Sequence, residues 1–228
     1  MALYVIGDLH LSFGVEKPMD IFDGWKDYSA RIERHWQKTV KPEDTVVIAG
    51  DISWGMTISE TIKDFLFIEK LNGKKIILKG NHDYWWSSIK KTEDMFSENG
   101  IQSISILQNN SYEYGDIAIC GTRGWINENG VKADSKIIAR EALRLEMSIK
   151  SASPDREKIV FLHYPPIFLE DSNKSILEVL HKYEIKRCFY GHVHGKACKN
   201  AVEGIVDGIE YKLISCDYLN FEPYLVIK

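Results

Sequence analysis

The chain reads as an α/β protein in which two sheets pack face to face with helices outside, and three observations carry that reading. Five short, apolar, β-rich runs are separated by helix-length segments: Leu3-Tyr4-Val5-Ile6, Val46-Val47-Ile48-Ala49, Ile76-Ile77-Leu78, Ile159-Val160-Phe161-Leu162 and Cys188-Phe189-Tyr190. That spacing is expected of parallel strands joined by crossover helices. Beyond His194 the segments read as strands only, so antiparallel strands complete the architecture. Each of the five runs also leads directly into residues able to bind a metal ion.

Composition bounds the rest. A length of 228 residues, 44% hydrophobic and 27% charged, suits one domain over residues 1–228 with a substantial core. Net charge is −4 and no run of Lys and Arg forms a stripe, which speaks against a nucleic-acid surface. Cys120, Cys188, Cys198 and Cys216 show no paired spacing, and two of them sit in apolar runs. Buried thiols in a reducing compartment are expected. The N-terminus lacks a basic leader and enters a strand by residue 3, and no apolar stretch approaches membrane-spanning length. The expected location is cytoplasmic.

Taken in order, the first strand is followed by a loop from Leu11 to Gly24 and a helix over Asp27 to Thr39, with Tyr28, Ile32, Trp36 and Val40 at helical spacing. Ser59 is the expected N-cap of the next helix, and Asn72-Gly73 its stop signal. A helix over Ser87 to Glu98 precedes a half-buried strand, Ile101 to Leu107. Tyr112 to Tyr114 and Ile117 to Cys120 flank Gly115-Asp116 as a hairpin, and Ala133 to Ser151 forms the longest helix. A helix over Ser175 to Tyr183 follows the fourth run. Val202 to Val206 and Ile209 to Ile214 form a hairpin on Asp207-Gly208, a type I′ signal, and Tyr224 to Ile227 is the last strand. His35 and His181 lie on helices away from the motifs and receive no role.

The chemistry gathers at the strand ends. In order these are Gly7-Asp8-Leu9-His10, Gly50-Asp51, Gly80-Asn81-His82-Asp83, a lone His163 and Gly191-His192-Val193-His194, which together hold five of the seven histidines. Carboxylate, amide and imidazole bind hard and borderline cations, and such groups meet in the crevice outside the carboxyl ends of strands. These five blocks, in this order over residues 8 to 194, resemble the calcineurin-like metallophosphoesterase family.

The resemblance implies a four-layer α/β/β/α sandwich of two mixed sheets and a dinuclear metal centre. It puts Asp8, His10, Asp51 and His194 on one cation and Asp51, Asn81, His163 and His192 on the other, with Asp51 bridging. It implies hydrolysis of a phosphoester P–O bond, in a mono- or diester, by a metal-bridging hydroxide. His82 is the catalytic histidine that is not a ligand, and Asp83 its natural orienter. Mixed ligation suits Mn, Fe, Zn, Co or Ni better than Mg²⁺ or Ca²⁺. The expected partner is a phosphorylated small molecule. The rival is an inactive member of the fold serving as a protein-binding scaffold, which loss of ligands would favour.

The sequence departs from the family in one block. Many members continue as Gly-Asp-x-x-Asp, where this chain reads Gly50-Asp51-Ile52-Ser53-Trp54. Trp54, Met56, Trp85, Trp86, Trp125 and Phe168 stand near the motif loops, either as core packing or as an apolar rim for an organic leaving group. Arg123, between Thr122 and Gly124, reads either as a phosphate clamp or as a plain surface arginine. With it, Trp125 is the candidate wall of a leaving-group pocket.

Overall fold

A computed structural model describes residues 1–125 and 135–228. The first half runs β1 (Leu3–Ile6), α1 (Tyr28–Thr39), β2 (Thr45–Ala49), α2 (Ile62–Lys70), β3 (Lys74–Leu78), α3 (Ile89–Glu98) and β4 (Ile104–Ile106). The second runs β5 (Tyr112–Tyr114), β6 (Ile117–Thr122), α4 (Ser135–Ser151), β7 (Glu157–Leu162), a small hairpin of β8 (Ile167–Phe168) and β9 (Asp171–Ser172), α5 (Lys174–Lys182) and β10 (Arg187–Tyr190). It closes with β11 (Gly204–Val206), β12 (Ile209–Leu213) and β13 (Tyr224–Ile227).

Two mixed sheets result. One has the order β13-β1-β2-β3-β4, with β1 to β4 parallel and β13 antiparallel on the β1 edge. The other has the order β11-β12-β10-β7-β6-β5, parallel in its four central strands and antiparallel at both edges. Side-chain alternation sorts each central strand onto two buried faces. Leu3, Val5, Val47, Ala49, Ile119, Ile159 and Phe161 fill the layer between the sheets. Ile6, Val46, Ile48 and Ile77 face outward onto Ile32 and Trp36 of α1, Phe65 and Ile68 of α2, and Phe96 of α3. On the far side, Cys120, Val160, Leu162 and Tyr190 meet Leu145 and Ile149 of α4 and Ile176 and Leu180 of α5. The four layers are therefore α/β/β/α, as expected.

Several boundaries moved for local reasons. Thr57, not Ser59, opens the second helical segment through a short 3₁₀ turn, Ile58–Thr61. There the Glu60 carboxylate accepts the backbone N–H groups of Met56 at 2.8 Å and Thr57 at 3.0 Å, satisfying donors that a helix start leaves orphaned. Ser88 caps α3 by accepting the Lys91 N–H, and Asn173 caps α5 by accepting the Ile176 N–H at 3.0 Å; each such cap is worth about 1 kcal/mol. The start expected at Ala133 lies outside the described residues. The stretch after His194 is not strands alone, since Gly195–Asn200 is 3₁₀. Its hairpin does form, with Asp207 at φ 49° and Gly208 at φ 80° as a type I′ turn requires. β12 nevertheless pairs in parallel with β10, and β13 crosses to the other sheet. No helix among the described residues is long and apolar enough to cross a membrane.

Candidate metal centre

The motif residues follow the C-terminal ends of β1, β2 and β3 in one sheet and of β7 and β10 in the other. Backbone pairing draws the first two loops together: Asp8 N–H donates to Gly50 O at 2.9 Å, and His10 N–H to Asp51 O at 2.9 Å. Asp8, His10, Asp51 and His192 take left-handed backbone conformations, with φ of 62°, 47°, 50° and 72°. Non-glycine residues seldom do so, and such strain concentrates at functional sites. The glycines of the motifs serve close approach. A Cβ on Gly80 would overlap the Asp51 carboxylate, and one on Gly191 would overlap that of Asp8.

The side chains fall into two sets. Asp8, His10 and His194 form one and Asp51, His163 and His192 the other, each with its potential ligand atoms within 4.8 Å of one another. Asn81 joins the second, its Oδ1 lying 2.6 Å from His163 Nε2 and 2.9 Å from His192 Nδ1. Asp51 stands between the sets, with Oδ2 3.8 Å from His10 Nε2 and 3.5 Å from His163 Nε2. His163 Nδ1 lies 3.1 Å from the Ala49 carbonyl. A proton on Nδ1 there leaves the Nε2 lone pair facing the Asn81 oxygen. Two acceptors aimed at each other call for a cation between them, so the residues fit divalent metal.

Electrostatics points the same way. Asp8, Asp51 and Asp83 are all buried. Burial, then the Asp83 and Asp8 carboxylates, push Asp51 well above the usual carboxyl range. Burial also pushes Asp8 up, but the imidazoles, His194 foremost, outweigh it and hold the carboxyl low. Burial brings His163 down to about 3 and leaves His10 well below its ordinary value. Both imidazoles are therefore neutral and keep a lone pair for a metal. For His194 burial opposes charge, yet the carboxylates of Asp8 and Asp217 raise it to about 10. A cation arriving there displaces a proton.

Beside the two sets, Asp83 joins neighbouring loops. This carboxylate accepts four N–H groups: Oδ1 those of Ile52 at 2.9 Å, Ser53 at 3.3 Å and the Trp85 indole at 3.0 Å, and Oδ2 that of Gly80 at 2.7 Å. These bonds tie the Asp51 loop to the Gly80 loop. His82 donates its backbone N–H to Asp51 Oδ1 at 2.8 Å, and its ring centroid lies 5.7 Å from that of His10.

The aromatic residues divide. Trp85 and Trp86 are core, Met56 is exposed, and Phe168 packs under the second sheet's helices. Trp54 is at the site, stacked on His10 at 4.9 Å and 4.5 Å from the His82 ring. Trp125 packs on Tyr164 at 5.1 Å, whose ring lies 4.2 Å from His192. The Arg123 guanidinium sits over the Trp125 ring at 4.7 Å and 3.6 Å from Glu141, and its carbonyl accepts the N–H groups of His163 and Tyr164. It is no plain surface arginine.

Asp217 escaped the sequence reading. It lies 2.9 Å from His194 Nδ1 and accepts the Gly195 N–H at 2.8 Å, fixing the ring so that Nε2 faces Asp8. The available signal was its place four residues past β12, another strand ending at this edge.

The model of the calcineurin-like phosphoesterase family matches residues 1–196. No curated protein matches the chain. Among the solved structures that share its fold are two that illustrate it. A protein of unknown function from Aquifex aeolicus, AQ665, is 19% identical with a TM-score of 0.52, over 98% of this chain and 95% of that one. The phosphopantetheinyl hydrolase of Mycobacterium tuberculosis is 13% identical with a TM-score of 0.56, over 99% and 95%. With the family matched over most of the chain and two sets of potential metal ligands gathered at one edge of the sandwich, the protein belongs to the calcineurin-like phosphoesterases, a family of metal-dependent phosphoester hydrolases.

Proposed function

We propose that this chain is a single-domain, cytoplasmic phosphohydrolase that cleaves the P–O bond of a small phosphoester, mono- or diester, at a centre of two divalent transition metals such as manganese. Asp8, His10, Asp51 and His194 would hold one cation, and Asp51, Asn81, His163 and His192 the other. The observation that carries this reading is the position of Asp51 Oδ2, within 3.8 Å of an imidazole from each set. The cytoplasmic assignment is supported by four cysteines that are all free.

Bound together, the cations would acidify a water into the nucleophile and neutralise charge on the phosphoryl oxygens. The chain's own groups do the rest. His82, beside His10 and under Trp54, protonates the leaving alkoxide or steadies a phosphoryl oxygen, work worth typically 10²–10⁴-fold. Asp83 keeps the two ligand loops in register. Arg123 contacts a substrate phosphate and Trp125 walls the leaving group. Two sets of potential ligands, Asp8, His10 and His194 and Asp51, His163 and His192, argue against the scaffold reading. Stripping metal should abolish hydrolysis of bis(p-nitrophenyl) phosphate, and Mn²⁺ should restore it. Activity that survives exhaustive chelation, with metal shown absent by elemental analysis, would sink the proposal.

A further inference from the structure

A second recess opens beside the metal centre on the same edge of the sandwich. β3 delivers Asn81 to the ligands, and two residues earlier it presents Lys79 to this recess. β6, paired with the strand before His163, ends at Thr122 with Arg123 next, and α4 adds Glu141 and Arg144. Among the described residues that line it, three cations against one carboxylate leave the recess two charges positive.

Those charges are held in place. Glu141 is fully buried; its Oε1 accepts from Arg144 Nη1 at 2.7 Å and lies 3.6 Å from Arg123 Nη2, while its Oε2 accepts the Thr122 hydroxyl at 2.9 Å. One carboxylate thus sets two guanidiniums side by side. The Trp125 ring stacks on the Arg123 fork, and the Arg123 Nε–H has no acceptor among the described residues. Arginine carries five donors in a fixed geometry suited to oxyanions. Crowding like charges in a half-enclosed site is costly until a counter-anion arrives. The cavity is small, about 120 Å³, well under the range that takes a drug-sized organic group. Two net charges match a phosphate dianion better than a carboxylate.

We propose that this recess is a phosphate subsite, and that the preferred substrates are phosphoesters bearing a second phosphate remote from the scissile one. The inference rests on the phosphohydrolase reading and narrows its substrate class.

The test uses p-nitrophenyl phosphodiesters of α,ω-diols two to eight carbons long, each ending in either a hydroxyl or a phosphate, with the metal-loaded protein. For at least one tether length the terminal phosphate should raise kcat/KM about tenfold or more. Arg144→Gln and Lys79→Gln should each cut that preference about tenfold. No preference at any length, or a preference unchanged in both variants, would overturn the proposal.

Direct binding separates this outcome from failure of the catalytic reading. Trp86 lines the recess, and its indole N–H donates to Gln108 at 2.8 Å. In the Zn²⁺-loaded protein its NMR signal should move saturably with inorganic phosphate. Arg144→Gln should weaken that binding about tenfold. If no ester is hydrolysed, the phosphohydrolase reading fails alone, and this titration decides the subsite. A signal that never moves, or an affinity untouched in Arg144→Gln, rejects it.

Discussion

Two recesses share one edge of the sandwich and are built differently. The candidate metal centre gathers buried carboxylates and imidazoles on strand-end loops whose backbone is bent into left-handed turns. The neighbouring recess is cationic and takes half of its charged side chains from α4. In the first, backbone sets geometry and glycines clear the space. In the second, side chains set geometry, with Glu141 aligning the arginines. A site built from backbone should fail through loss of metal or of the transition state, while one built from side chains should fail through substrate preference.

The sharpest probe of that contrast is His82→Ala. If His82 acts on the transition state as proposed, kcat should fall about 10²-fold or more while metal content stays near wild type. Collapse of metal content, measured by elemental analysis, would move His82 into the ligand set.

Asp217→Ala should act more gently and on the metal itself. Losing the partner of His194 Nδ1 should weaken affinity about 10–100-fold, and Asp217→Asn, which keeps an acceptor, should recover part of that loss. A variant with unaltered metal affinity would leave Asp217 a loop clasp for Gly195 and nothing more.

Arg123→Ala should give the smallest change, about tenfold in kcat/KM and expressed mainly in KM, the loss of one charge-assisted hydrogen bond. Trp125→Ala should hurt bulky aryl esters more than methyl esters. Equal kinetics across such a panel would detach both residues from substrate.

The contrast also explains what could be read in the sequence. Ligand motifs stand as contiguous tetrapeptides after apolar runs, so Asp8, Asn81 and His192 announce themselves by spacing. The layers were legible too, because Val46 and Val47 must face opposite ways. The loop-tying bonds of Asp83 were not legible, because adjacency to His82 suggests only a side-chain pair, whereas the tight turn also aims the carboxylate at backbone N–H groups 31 and 30 residues away in the Asp51 loop. Asp217 and the partnership of Arg123 with Glu141 and Arg144 depend on strand order and helix docking. Nothing local in sequence encodes that the hairpin's second strand, β12, returns to β10, or that α4 lies over the end of β6.

The central claim is that two cations share Asp51, and metal stoichiometry tests it most directly. Elemental analysis of the reconstituted protein should find two equivalents per chain in the wild type, and Asp51→Asn should lower occupancy of both. A wild type that saturates at one equivalent, or an Asp51→Asn protein that loses one metal and keeps the other fully bound, would contradict it.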